Sequence, residues 1–308
     1  MKTRGMGNIG KLMGQGLLVA AFFGAMVAVP AAAAPIRLPS IVEPASREQH
    51  PGKIVFQELV TPDIAAAERF YGGLFGWTFR EVQTDGLKYS EARLDGRPVA
   101  GLVQKALPKG KDRTPIWLTF VSVADLNGAL KVALENGAKT LFGPRDLPNR
   151  GQEAVFADPQ GAVFALLTSS NGDPSDTLAG YGEWIWSSLV VPDPDKAAAF
   201  YQKLADYEVF ELPSGNSGTE HFLLASGNYA RASVNTMPPG GKTGPHWINF
   251  VRVEKADQMA ARAVTLGGRV LVAPRPDRHG GKLAVVADPQ GAALGLMEWT
   301  EAGEEVVK

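Results

Sequence analysis

The hexapeptide Ala157-Asp158-Pro159-Gln160-Gly161-Ala162 occurs a second time, residue for residue, at positions 287–292. Other uncommon residues repeat at the same offset of 130 positions, among them Pro62-Asp63 with Pro192-Asp193, Phe70-Tyr71 with Phe200-Tyr201, and Trp117 with Trp247. Chance does not place so many matches at one offset, and self-similarity at a fixed period indicates an internal repeat. The chain therefore contains two copies of one domain.

Each copy is predicted to contain two βαβββ modules. In the first copy a β-rich run at 53–60 predicts a strand, and apolar residues at helical spacing predict a helix from Asp63 to Phe75 that ends at Gly76. The remaining elements are strands at 77–82, 87–94, 99–104 and 116–123, a helix at 124–136, and short strands near 139–142, 152–157 and 162–168. The second copy repeats this order. The sequence therefore predicts an α+β fold of two tandem domains, at 53–170 and 182–300, each a pair of βαβββ modules.

The first 34 residues have the three parts of a secretory signal peptide. Lys2, Arg4 and Lys11 form a positive start, an apolar stretch follows at 17–29, and alanines at 31–34 offer a cleavage site. We expect cleavage near Ala33–Ala34 and a periplasmic or secreted mature protein; the alternative is an uncleaved membrane anchor. Residues 35–52, with four prolines among polar residues, predict an extended linker.

The overall composition is that of a soluble globular protein. The chain has 31 lysines and arginines against 32 aspartates and glutamates. It therefore lacks the surplus of basic residues that would indicate a nucleic-acid partner. The absence of cysteine excludes disulfides, thiolate metal sites and a cysteine nucleophile. No later segment is long and apolar enough to span a membrane, so we expect no membrane partner once the signal is removed. Whether the chain forms a homo-oligomer stays open.

Two sets of residues carry a resemblance to a known family: Phe70-Tyr71 with Leu74-Phe75-Gly76-Trp77, and the closing run from Asp158 to Phe164. With them, the chain resembles the vicinal-oxygen-chelate superfamily of glyoxalases, bleomycin-resistance proteins and dioxygenases. The run from Asp95 to Gly101 is similar to its hydroxylase-like glyoxalase branch. The resemblance implies that each pair of modules forms one curved, cup-like sheet that holds a small ligand. Read without the family, the aromatic pairs predict helix-to-sheet packing, and Asp-Pro-Gln-Gly predicts a turn.

The resemblance also implies metal positions, because enzymes of this superfamily hold a divalent metal with His, Gln or Glu on inward-facing strand positions. Carried over to this chain, the best-aligned positions hold Phe56, Leu118 and Ala165 in the first copy and Trp186, Ile248 and Gly295 in the second. These residues do not supply the nitrogen or oxygen ligands that a divalent metal needs. We therefore predict no metal and no other cofactor. The alternative is a shifted strand register, which would bring donor side chains to the metal positions and allow a divalent metal to bind.

Two residues are candidates for acid–base chemistry. Glu58 shares strand parity with Phe56 and should point into the first cup, where burial would raise the pKa of its carboxyl group; the alternative is a place at the rim. His246 shares parity with Ile248 and should face the mouth of the second cup. The residues expected to contact a ligand are Phe56, Tyr89, Trp117, Leu118, Trp186, His221, Trp247 and Ile248, with core packing as the alternative for Tyr89 and Trp117. His279 is expected in an exposed loop.

Three functions are compatible with these residues. The first is an exported protein that binds a small organic molecule in cup-like pockets without the superfamily's metal. The second is a glyoxalase-, dioxygenase- or lyase-type enzyme that uses a displaced metal, or Glu58 or His246 as acid–base groups. The third is a structural protein whose cups are filled by side chains. We favour the first, because the implied metal positions are apolar while the cups remain suited to a small ligand.

Overall fold

The computed structural model describes residues 36–84, 86–107, 114–212, 220–238, 243–278 and 280–299. The predicted signal segment at 1–34 and His279 lie outside the described residues. Within the described part of the chain, no helix has the length and apolar character needed to cross a membrane.

The first domain is built on one eight-stranded sheet. Its elements are β1 (Ile54–Thr61), α1 (Ile64–Phe75), β2 (Thr78–Thr84), β3 (Leu87–Leu94), β4 (Arg97–Gln104), β5 (Ile116–Ser122), α2 (Leu126–Glu135), β6 (Lys139–Leu147), β7 (Gly151–Ala157) and β8 (Val163–Ser169). The strand order is β2-β3-β4-β1-β5-β8-β7-β6. The two modules join where β1 pairs with β5, so the centre of the sheet belongs to both.

The second domain repeats this architecture. Its elements are β9 (Trp184–Val191), α3 (Pro194–Ala205), β10 (Glu208–Glu211), β11 (Glu220–Ser226), β12 (Tyr229–Thr236), β13 (His246–Arg252), α4 (Ala256–Thr265), β14 (Arg269–Pro276), β15 (Lys282–Ala287) and β16 (Ala293–Met297). The strand order is β10-β11-β12-β9-β13-β16-β15-β14, which matches the first sheet position by position. The predicted α+β fold of two tandem domains with paired βαβββ modules is confirmed.

Local sequence explains where the first helix of each domain begins and ends. The Asp63 carboxylate accepts a hydrogen bond from the backbone N–H of Ala66 at 3.0 Å, which satisfies a free donor at the start of α1. Gly76 ends the helix with a φ of 76°, a left-handed conformation that glycine adopts at little cost. Asp193 caps α3 in the same way, through the backbone N–H of Lys196.

The helices lie between the two sheets, where the repeated motifs hold the domains together. The Asp158 carboxylate accepts hydrogen bonds from the backbone N–H groups of Gln160, Gly161 and Ala162, and from the hydroxyl of Tyr201 in the other domain at 3.2 Å. Asp288 does the same, with Tyr71 as its partner from the first domain. The hexapeptide therefore forms the predicted turn and, beyond that prediction, an interdomain contact.

Both main apolar cores contain residues from the two domains. One joins Phe164 and Leu166 of β8 to Phe200 and Tyr201 of α3. The other joins α1 of the first domain to α4 of the second. The residues of both cores are nearly all inaccessible to water. Since these cores take one face of each sheet, the opposite faces point outward, and these outer faces form the two cups.

Candidate functional site

The first cup has an apolar floor. Phe56 pairs with Phe120, Glu58 pairs with Leu118, and Phe120 pairs with Ala165. Paired residues share one face of a sheet, as do residues two positions apart. Phe56, Leu118 and Ala165 consequently lie in one buried apolar cluster, and Glu58 lies on the same face.

The chain's own N-terminal segment fills this cup. Leu38 packs in a cluster with Tyr89 and Leu147, and Ile41 packs against the floor with Phe56. Leu38 and Ile41 are 4% and 3% exposed. Residues 36–46, called the N-terminal strap below, belong to the stretch that the sequence analysis treats as an extended linker. Their backbone forms no helix or strand, but the structure packs them into the cup.

A charged group lies buried beneath the strap. The Arg150 side chain is fully buried; its Nε donates to the carbonyl oxygen of Pro39 at 2.7 Å, and its Nη2 donates to the Tyr89 hydroxyl at 2.7 Å. Its Nη1 lies 3.7 Å from Oε2 of Glu58. Its guanidinium carbon lies 4.7 Å from the centre of the Phe56 ring, so the cation rests on an aromatic face. Glu153 of β7 is also buried beside this group.

The two carboxyl groups hold protons more tightly than exposed glutamates do. Burial raises the pKa of the Glu58 carboxyl, and the Arg150 guanidinium opposes part of that rise. Burial and the neighbouring Glu58 raise the pKa of the Glu153 carboxyl to about 7. The Glu153 carboxyl therefore exchanges its proton near neutral pH, which is the property required of an acid–base group.

Gly101 makes this arrangement possible. A Cβ at position 101 would overlap the Tyr89 hydroxyl and crowd Oε2 of Glu58. Only glycine leaves room for the Tyr89 hydroxyl to cross β4 and reach Arg150.

The second cup is open. It encloses a cavity of about 450 Å³. The apolar lining comes from β13 to β16: Ile248, Phe250, Leu271, Val272, Leu283, Val285, Ala293 and Met297. Gly295 leaves room for the Phe250 ring, because a Cβ at position 295 would overlap that ring.

Eight of the nineteen residues that line the second cup are polar or charged. Ser188 stands where the first cup has Glu58, and its hydroxyl lies 2.9 Å from that of Ser233. His246 and Asn235 line the cavity too, as do Arg275 and Arg278. His246 shares a 2.7 Å hydrogen bond with the carbonyl oxygen of Gly244 through Nδ1, and the contact is exposed. The cup therefore offers hydroxyl, amide and basic groups around an apolar floor.

Comparison with known proteins agrees with this architecture. The model of the glyoxalase/bleomycin resistance protein/dioxygenase superfamily matches residues 53–166, and that of the glyoxalase-like domain matches residues 187–297. The chain belongs to this superfamily. The curated relatives include "Putative glyoxylase CFP32" of Mycobacterium tuberculosis, 29% identical over 83% of this chain and 98% of that protein. Another is the anthracycline biosynthesis protein DauV of Streptomyces sp. strain C5, 30% identical over 82% of this chain and 95% of that protein.

Solved structures show the same fold at low sequence identity. A Mn(II)-bound glyoxalase from Novosphingobium aromaticivorans is 15% identical, with a TM-score of 0.55 over 80% of this chain and 82% of that one. An extradiol ring-cleaving dioxygenase from B. fuscum is also 15% identical, with a TM-score of 0.57 over 84% of this chain and 76% of that one. At this identity the likeness concerns the fold.

The superfamily implies a divalent metal, but the residues of this chain do not fit one. Phe56, Leu118 and Ala165 form an apolar wall in the first cup. In the second cup, Trp186 and Ile248 belong to an apolar cluster, and the Phe250 ring covers Gly295. Among the described residues, no three His, Asp or Glu side chains are grouped so that they could hold a metal ion.

The other predicted ligand contacts divide between the cups and the interdomain core. Trp186 is on the outer face, where its indole N–H donates to Ser233 and its ring lies 5.8 Å from that of Trp299. His221 lies half-buried on β11 and does not line the described cavity. Glu58 and His246 belong to different domains, so the structure does not bring the two acid–base candidates together.

Trp247 is corrected to a core residue, and Trp117 has the core packing that the sequence analysis gives as its alternative. Each precedes a cup-facing residue and so points to the other sheet face, where its indole N–H donates to the hydroxyl of Tyr71 or Tyr201. Both are buried in the cores that join the domains, away from either cup.

Sequence reasoning missed Arg150, Glu153 and the strap. Comparing the two copies gives a signal for the first two, because at the same offset Arg150 corresponds to Gly280, Glu153 to Leu283 and Glu58 to Ser188. Three ionisable residues of one copy thus lack charged counterparts in the other. Charges that differ together between copies indicate that they share one site.

Proposed function

We propose that this protein binds a small, largely apolar organic molecule in the cup of its second domain, directly through side chains and without a divalent metal. The observation that carries the proposal is the open cavity of about 450 Å³ with an apolar floor. Small-molecule sites are usually concave, mostly apolar and several hundred cubic ångströms in volume, with a few polar groups that fix orientation.

The mouth of the cup supports this proposal. Leu271 and Val272 of β14 line the cavity and remain 47% and 37% exposed. A ligand that covers exposed apolar groups beside a cavity gains binding free energy, because those groups lose contact with water. The second cup therefore favours a ligand with an apolar body.

The polar lining favours a particular end group. His246, Arg275 and Arg278 offer basic or donor groups, and Ser188 offers a hydroxyl at the floor. Asp277 is the acidic residue among the lining side chains. We infer that the ligand is an apolar, ring-bearing molecule with an acceptor or anionic group at one end. A relative named as an anthracycline biosynthesis protein is consistent with an organic ring compound as ligand.

The proposal includes export of the mature protein. The signal peptide predicted at 1–34 supports it, because a positive start, an apolar middle and an alanine-rich exit direct a chain across the membrane. The ligand would then be met outside the cytoplasm.

A thermal-shift screen of aromatic acids and phenols on the mature protein tests the site. A ligand that binds the folded state raises the unfolding temperature by mass action. The Leu271→Asp variant places a carboxylate at the mouth of the cup and should lose most of the shift. The matched control is Val264→Asp on α4, since Val264 is 52% exposed and does not line the cavity. Equal shifts in both variants would contradict a site in the second cup.

A further inference from the structure

We propose that the first cup is a second binding site, for a small molecule that carries a carbonyl group on an apolar body, and that the N-terminal strap occupies it as a displaceable internal ligand. The strap presents to the cup the same features that such a molecule would present. These are one carbonyl oxygen and two apolar side chains.

The carbonyl is recognised by Arg150. The Pro39 carbonyl oxygen accepts a 2.7 Å hydrogen bond from Nε of a guanidinium that is fully buried. A buried cation is costly unless it is paired and hydrogen-bonded, so an oxygen acceptor at this point stabilises Arg150. A ketone or aldehyde oxygen can replace the peptide carbonyl there without a change of charge.

The apolar part is recognised by the floor of the cup. Leu38 and Ile41 are both buried against cup residues, with Tyr89 and Leu147 around Leu38 and with Phe56, Leu118 and Phe120 around Ile41. These contacts have no directional requirement, so a flat hydrocarbon body of similar size can make them too.

The cup retains polar atoms that the strap does not satisfy. Oε2 of Glu58, Oε2 of Glu153 and Nη1 of Arg150 are buried without a hydrogen-bond partner among the described residues. Buried polar groups in folded proteins are almost always hydrogen-bonded, and exceptions concentrate at functional sites. The strap therefore packs well against the apolar residues of the cup but leaves some of the cup's polar atoms without hydrogen bonds.

The strap is held by few bonds. In the described structure its backbone forms no sheet pairing with the cup, and the first backbone–backbone hydrogen bond to the domain joins Arg47 to Asn171 at 3.2 Å. Two other polar contacts hold the strap: the Ser46 hydroxyl at its end donates to the Asp173 carbonyl oxygen at 2.6 Å, and Glu43 forms an ion pair with Arg93 in which the Glu43 side chain is 52% exposed. Exposed ion pairs contribute little to stability. The strap can therefore leave the cup while the sheets stay folded.

A fluorescence titration of the full-length mature chain with Prodan, an aromatic ketone, tests the proposal. Leu38→Asp buries a carboxylate against Tyr89 and Leu147 and should expel the strap, whereas Ala45→Asp adds the same charge at an exposed strap position. Leu38→Asp should bind Prodan in the first cup at least about tenfold more tightly than Ala45→Asp does, because no strap has to be displaced first. Any Prodan held by the second cup is common to both variants. Equal affinity for Prodan in the two variants would overturn the proposal.

Two further measurements make the test specific. At the first-cup site of Leu38→Asp, 2-acetylnaphthalene should compete with Prodan at least about tenfold more tightly than 2-ethylnaphthalene does, because only the ketone can accept a hydrogen bond from Arg150. Equal competition would refute carbonyl recognition. In the wild-type chain, saturating Prodan should increase hydrogen–deuterium exchange in residues 36–46. Unchanged exchange there, together with no gain of binding in Leu38→Asp, would mean that the strap is a fixed part of the fold.

Discussion

Replacing Glu153 by glutamine should make the protein more stable at alkaline pH and leave its stability nearly unchanged at acidic pH. Burial and the neighbouring Glu58 raise the pKa of the Glu153 carboxyl from its ordinary 4.5 to about 7 in the folded chain. The folded state therefore binds this proton more tightly than the unfolded state does. Between those two values, stability falls as the pH rises, and above about 7 the loss is complete.

The magnitude follows from the same two values. A tenfold change in proton affinity corresponds to about 1.4 kcal/mol, so the rise from 4.5 to about 7 costs the folded state about 3 kcal/mol once Glu153 is ionised. Glutamine keeps the size of the side chain and one side-chain oxygen but cannot ionise. We therefore expect Glu153→Gln to exceed the wild type by roughly 1–3 kcal/mol in free energy of unfolding at about pH 8.

Urea denaturation of both proteins at about pH 5 and pH 8 measures this difference. The control is Glu135→Gln, because the Glu135 side chain lies on α2 and is 62% exposed. Its stability should follow that of the wild type at both pH values. If the difference between Glu153→Gln and the wild type is the same at both pH values, the reasoning about a buried, proton-binding Glu153 is refuted.

Two other predictions concern the domain interface and processing. Asp288→Ala removes the acceptor of three backbone N–H groups and of the Tyr71 hydroxyl, so it should lower the free energy of unfolding by at least about 2 kcal/mol. The control is Asp146→Ala, at an exposed position, which should leave the free energy of unfolding nearly unchanged. Equal losses in the two variants would contradict the interface role of Asp288. Mass spectrometry of the protein from its native compartment should find residues 1–34 removed, and an intact N-terminus would contradict export.

The fold was predictable because the duplication imposes one pattern twice. The helix from Asp63 to Gly76 carries its own start and stop signals, a capping carboxylate and a left-handed glycine, so its bounds could be inferred locally. The cup positions of Phe56 and Leu118 were implied by the resemblance to the superfamily, and the two-residue period of a strand then placed Glu58 on the same face as Phe56.

The interdomain contacts could not be predicted from the same patterns. Tyr71 and Asp288 look like helix packing and a turn in the sequence, and both descriptions are locally true. Their contact depends on how one domain docks on the other, which no local period encodes. Trp117 shows the same effect, because a large aromatic side chain suits a ligand site and a domain interface equally well.

The strap was hidden for a different reason. A proline-rich polar segment is typical of a linker, and the apolar residues that depart from this composition are Ile36, Leu38, Ile41 and Val42. Their spacing in this irregular segment matches neither a helix nor a strand. Arg150 likewise lies in a short connection between β6 and β7, where its burial depends on the strap that covers it.

The most direct test of the account is a titration of the mature protein with 8-anilinonaphthalene-1-sulfonate, an apolar aromatic molecule with an anionic group, in excess EDTA. The wild type should bind it with the same affinity with and without the chelator, because the second cup acts through its side chains. Ala293→Phe, which fills the floor of that cup, should lose this binding while it unfolds at the temperature of the wild type. Binding that disappears in EDTA and returns with Mn²⁺, or binding that survives in Ala293→Phe, would contradict a metal-free site in the second cup.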